Sequence, residues 1–171
     1  MRFLASKRLI LILLGLAWLK SFFLPLCSIG GIKPDFFLIF LAFFAFQVSW
    51  KGIVRLAFVV GLIQDLMTNS FFGLETASYV GGTILLRFLA IQLDRDKPWI
   101  QLASLFAFSW FTLLLFVLFS FLVGEHYPIG EWLGVKTFLI AAYTTAVGFL
   151  TLPLFAKWLR PALESKQYEL F

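Results

Sequence analysis

Four strongly polar residues fall within twelve positions of an otherwise apolar stretch: Gln64, Asp65, Asn69 and Glu75. Glycines bracket them, in Gly61-Leu-Ile-Gln-Asp65 and Gly73-Leu-Glu75. Asp35 and Lys20 lie upstream and Arg87 downstream, each inside or beside an apolar run. Carboxylates held in pairs can do acid–base work, and ionisable groups among apolar helices mark ion pairs or ion paths. The parts for other chemistry are missing. There is no Gly-x-Ser-x-Gly for an activated serine and no His-Glu-x-x-His for zinc. The one histidine, His126, sits beside Glu125 in a polar stretch, where it reads as a loop residue. The one cysteine, Cys27, excludes an internal disulfide and any multi-cysteine metal site. Leu24-Pro-Leu-Cys27 also lacks the small residue that a lipidated cysteine needs directly before it. The chain is therefore expected to have no catalytic residues, no metal and no cofactor, and not to be an enzyme.

What must position the polar residues follows from composition. The chain is 61% hydrophobic and 13% charged, against about 25% charged in a soluble domain. Such a surface suits lipid. A spanning helix takes about 20 residues, so six of them leave roughly 50 of the 171 positions for every loop and tail, too few for a separate catalytic domain. Apolar runs and Gly/Pro punctuation place spans at about 9–27, 34–48, 53–66, 73–93, 99–123 and 133–159. The fold class expected is an all-α integral membrane protein, a six-helix transmembrane bundle in one domain.

Charge sets orientation. The net charge is +5, yet the basic residues gather at helix ends and form no nucleic-acid patch. With six spans, ten Lys and Arg residues fall on the side of the termini, and Lys33 and Lys136 on the other. That asymmetry predicts cytoplasmic termini. No small-x-small cleavage site follows the apolar run after Arg2, Lys7 and Arg8, so the first helix is read as uncleaved. Most tryptophans fall near expected helix ends, as in an aromatic belt; Trp110 is the exception, deep in the fifth helix.

Within the spans, Lys20 lies about 16 Å along the first helix from Leu9, near mid-bilayer, so it needs a carboxylate. An intramembrane ion pair of Lys20 with Asp65 is expected, with Asp35 as the other candidate. Arg87 is expected to snorkel towards the cytoplasm. Ala57-x-x-x-Gly61, Thr144-x-x-x-Gly148 and the pair Gly81-Gly82 allow close helix approach. Asn69 or Ser70 is read as the cap of the fourth helix, and Glu75 complements its positive end. Gln64 and Asp65 exceed what that cap requires.

The same residues carry a resemblance. Lys33-Pro-Asp-Phe-Phe-Leu38 resembles the Arg/Lys-Pro-Asp-Leu-Leu-Leu start of the second helix in the rod shape-determining protein MreD family. Gly52, Ala57-Phe58, Gly61-Leu-Ile-Gln-Asp65-Leu66 and Gly73-Leu74 are similar in order and spacing to that family's Gly…Ala-Phe…Gly-Leu-x-x-Asp…Leu-Gly-Leu core. Phe71-Phe72-Gly73 stands where the family often has Pro-Leu-Gly. The resemblance is specific over about residues 33–93 and only hydropathic elsewhere. It implies a non-enzymatic inner-membrane scaffold of the bacterial elongation machinery, with a fold similar to the substrate-binding component of energy-coupling-factor transporters. It further implies binding to the single-span protein MreC. Through MreC it implies links to MreB filaments, the transglycosylase RodA and a class B penicillin-binding protein. Pro34, Asp35, Gly61, Asp65 and Gly73 carry the motif, with roles in structure or partner contact. The rival reading is a vitamin-type transport subunit, which would enclose a ligand pocket where a scaffold is filled by side chains.

Overall fold

The computed structural model describes residues 7–23, 28, 31–68, 71–92, 98–124 and 132–167. These form six α-helices: α1 (Lys7–Phe23), α2 (Phe36–Ala45), α3 (Trp50–Met67), α4 (Leu74–Gln92), α5 (Pro98–Val123) and α6 (Thr137–Gln167). A π-helical turn, Trp132–Lys136, leads into α6. No strand occurs among the described residues. The helices α3 to α6 pack each against the next, and α2 lies inside them, touching all five others.

The second helix is the centre of the molecule. Every residue from Phe37 to Ala45 is buried, as expected of a helix that is apolar all round. Phe40 and Phe44 pack with centroids 4.6 Å apart and their planes tilted by 54°, and Phe43 meets Phe44 edge-on at 5.4 Å. The helix is shorter than the 34–48 expected from the apolar run. Its 10 residues reach about 15 Å, half a bilayer's hydrocarbon thickness. Its ends explain the length. At the start, Pro34 and the extended backbone of Asp35 (φ −104°, ψ 101°) halt the chain before Phe36, and the Asp35 carboxylate accepts the Phe37 N–H. At the finish, Arg87 of α4 donates a 2.6 Å hydrogen bond to the Ala45 carbonyl. Arg87 therefore turns inward to a helix C-terminus, where a cation is favoured, and does not simply snorkel. Arg87→Met should free that carbonyl and cost about 1–3 kcal/mol, with Arg87→Lys recovering part of it. Thermal unfolding of the purified chain in detergent checks this.

The third helix starts earlier than expected, at Trp50 and not Ile53, because Gly52 is inside it: Ser49 takes the N-cap position and its carbonyl accepts Gly52 N–H at 2.9 Å. At Gly61 it meets the backbone of α4 directly. A Cβ on Gly61 would lie 2.5 Å from Thr76 Cα and 3.2 Å from Thr76 N, both backbone atoms. A backbone cannot swing aside as a side chain can. Gly61→Ala should thus push the two helices apart and lower stability by about 1–3 kcal/mol, seen as a fall in melting temperature larger than for Gly15→Ala, where nothing lies within 4 Å.

By length and composition two described helices can cross a membrane, Trp99–Val123 and Gly134–Pro153. Only 28% and 22% of their apolar windows are buried, unlike the core helices of soluble proteins. Their outward side chains include Leu118, Phe121, Leu122, Phe149 and Leu150, a surface suited to lipid. Trp110 is no stray belt residue: with Phe106 and Phe138 it forms an aromatic cluster joining α5 to α6, at 6.2 and 6.0 Å.

Candidate functional site

The polar residues of five helices converge at one end of α2. Asp35 is the hub. Its Oδ1 accepts from Phe37 N at 3.0 Å and faces Lys20 Nζ of α1 at 3.4 Å. Its Oδ2 accepts a short hydrogen bond from the Tyr79 hydroxyl of α4. Its own N–H donates to Thr144 Oγ1 of α6 at 3.0 Å. Lys20 also donates to Gln64 Oε1 of α3 at 2.6 Å, and its Nζ sits 5.0 Å from the centre of the Phe37 ring. The ammonium thus has a carboxylate, an amide oxygen and an aromatic face.

The Lys20–Asp65 pair expected from sequence does not form; Lys20 pairs with Asp35, the other candidate. Two features decide this. Lys20 lies in the last turn of α1, nearer the end of the helix than the mid-bilayer position expected from counting, and so level with the start of α2. Asp65 is meanwhile fully engaged elsewhere. Its Oδ1 accepts Glu75 N at 3.0 Å; its Oδ2 accepts Thr76 N at 3.1 Å and the Thr76 hydroxyl. Asp65 thus caps α4 across space from the neighbouring helix. The first N–H groups of a helix have no intrahelical partner, and an acceptor of negative charge suits that positive end. The local caps expected there, Asn69 and Ser70, lie outside the described residues. Asp65 is therefore part of the cap and not surplus to it.

The glycines of the motif make this possible. Gly61 lets α3 approach Thr76 one turn before Asp65. Gly73 turns the chain into α4 with φ +101°, a conformation that L side chains rarely adopt. Pro34 is buried just ahead of Asp35. Glu75, in the first turn of α4, has Asp35, Asp65, Lys20 and Gln64 as its electrostatic neighbours. Among the described residues the only ion pair within 4.0 Å is Lys20–Asp35, so three carboxylates share one cation.

This arrangement can fasten helices; it is poorly made for reaction chemistry. Both oxygens of Asp35 and of Asp65 are held by donors of the fold, which leaves neither as a free base. No group of three His, Cys, Asp or Glu among the described residues could hold a metal ion. His126 and Cys27 lie outside the described residues. Three members of the network were not singled out from sequence as site residues: Thr76, Tyr79 and Thr144. Tyr79 stands four residues after Glu75 and three after Thr76, and so shares their helix face. Thr144 was visible only as a small residue spaced for packing with Gly148.

A protein-family profile described as rod shape-determining protein MreD matches residues 1–160 of the chain. Comparison with curated proteins and with solved structures returns no match.

Proposed function

The chain belongs to the rod shape-determining protein MreD family, whose role is in rod shape determination, and from that premise we propose that it acts as a non-enzymatic scaffold of the bacterial elongation complex. In this reading it is a multi-pass protein of the inner membrane with both termini cytoplasmic. It binds MreC, and through MreC it helps couple MreB filaments to the lateral peptidoglycan synthesis of RodA and a class B penicillin-binding protein. Its fold would be similar to the substrate-binding component of energy-coupling-factor transporters, put to a different use.

The observation that carries the scaffold reading beyond family membership is the filled centre. A transport subunit encloses a ligand among a few convergent polar groups. Here Phe37, Phe40 and Phe44, each 0% exposed, occupy the middle of the bundle. The polar groups beside them are spent on one another. The positive-inside count supports the orientation, and the family match supports a membrane location together with the apolar helices. Affinity purification of the full chain from native membranes is the test. MreC should come down with it, and should still do so when the only added ligands are lipids. A preparation that carries a bound vitamin and no MreC would overturn the proposal in favour of the transport subunit.

A further inference from the structure

We infer that the end of α3 and the start of α4, at Leu66, Met67, Phe71 and Phe72, form a docking surface for a membrane-spanning helix of a partner protein, one that carries a single Lys or Arg at the level of Glu75. The inference rests on the scaffold reading and adds where the contact is and what chemistry it uses. Four large apolar side chains are exposed on this one hairpin: Leu66 (77%), Met67 (37%), Phe71 (59%) and Phe72 (67%). They flank a charge imbalance. The Asp65 bond to Glu75 N draws residue 75 against the end of α3. There Asp35, Asp65 and Glu75 together face Lys20 alone. Asp35 takes the ion pair and Asp65 takes the N-terminus of α4, which leaves Glu75 half-buried, hydrogen-bonded to Gln64 and in no ion pair within 4.0 Å among the described residues.

A carboxylate at the edge of an apolar surface is complemented by a cation presented from apolar surroundings. A partner helix supplies both at once, its aliphatic residues against Phe71 and Phe72 and its basic side chain at Glu75. Lipid chains would cover the phenylalanines but bring no cation. An aminophospholipid headgroup is the rival source of positive charge, so the test has to separate protein from lipid.

A photo-crosslinking amino acid placed at Phe72 of the full chain, in native membranes, reads the neighbour directly, with the same group at the exposed Phe149 of α6 as control. The expected product at position 72 is an adduct to a protein helix whose crosslinked peptide has a Lys or Arg within one turn of apolar residues. Glu75→Lys should lower its yield at least about tenfold and Glu75→Gln less. Exchanging the partner's basic residue for Glu should restore it with Glu75→Lys. Adducts to lipid only, a crosslinked peptide with no basic residue, or a yield unmoved by Glu75→Lys would each overturn the inference. MreC that still co-purifies with Glu75→Lys while crosslinking elsewhere rejects this surface and leaves the scaffold reading standing. A wild-type chain that brings down no MreC rejects the scaffold reading itself.

Discussion

Asp65→Ala is expected to be among the most damaging single substitutions in this protein, lowering stability by about 3 kcal/mol or more. The change strands three buried or part-buried donors at once: Glu75 N, Thr76 N and the Thr76 hydroxyl. It also removes the negative charge from the positive end of α4. Asp65→Asn should be milder but still harmful. Its single acceptor oxygen can serve one side, while its amide turns a donor towards a donor on the other. On thermal unfolding in detergent, the alanine variant should melt lower by on the order of 6–12 °C, with asparagine between it and wild type. Asp65 is 4% exposed, so water cannot take over the lost bonds. A melting temperature for Asp65→Ala equal to wild type would show that the cap carries no weight.

The second large effect is a coupling. Lys20→Met and Asp35→Asn should each destabilise the chain, because each leaves a charge buried without its partner. The double change should recover about 1–3 kcal/mol of the summed loss. The matching cycle of Lys20→Met with Asp65→Asn should lie closer to additive, since Lys20 bonds to Asp35 and Gln64 while Asp65 bonds to α4. Equal coupling in the two cycles would contradict the geometry. The Lys20 side chain is only 14% exposed, so the screening that weakens surface ion pairs has little purchase here. Loss of Lys20 should also loosen α1 in particular. That helix packs chiefly on α2, with Leu13 and Leu16 buried among its described side chains, and the ammonium ties its last turn to α2 and α3. A cysteine pair bridging α1 and α2 should therefore oxidise more slowly in Lys20→Met than in wild type.

Several features of the site were legible residue by residue. Asp35 and Asp65 stood out because a carboxylate in an apolar run needs a partner, and Lys20 for the same reason. Gly61 and Gly73 stood out because glycine among helix formers signals close approach or a turn. Their partners were not legible. Whether Lys20 meets Asp35 or Asp65 depends on which helices neighbour α1 and at what height. Spacing along one chain does not encode that. Tyr79, Thr76 and Thr144 escaped notice because a lone hydroxyl in a helix is ordinarily satisfied by its own backbone, as Thr112 is at Phe108 O. Their role exists only because another helix arrives.

The helix lengths divide in the same way. Hydropathy located all six helices, and for α5 it came within a residue of the start. It overran α2 because Phe46 and Val48 continue the apolar run, with only Gln47 between them, while in the fold the chain turns there and the Ala45 carbonyl is taken by Arg87, forty-two residues on.

What the sequence determined by itself is the class of the protein: an apolar, all-helical chain with the motif of its family, one cation and three carboxylates set where the helices begin and end. Those properties follow from residue type and periodicity, which are local. Tertiary structure decided the use of the stretch around Gly61 and Asp65. The backbone contact that Gly61 permits brings Asp65 to the first turn of α4. That engagement leaves Lys20 to Asp35, and it sets Glu75 beside Gln64, half-buried at the end of α3. Each of these outcomes depends on distances between helices, and those are fixed only when α2 is enclosed by the others.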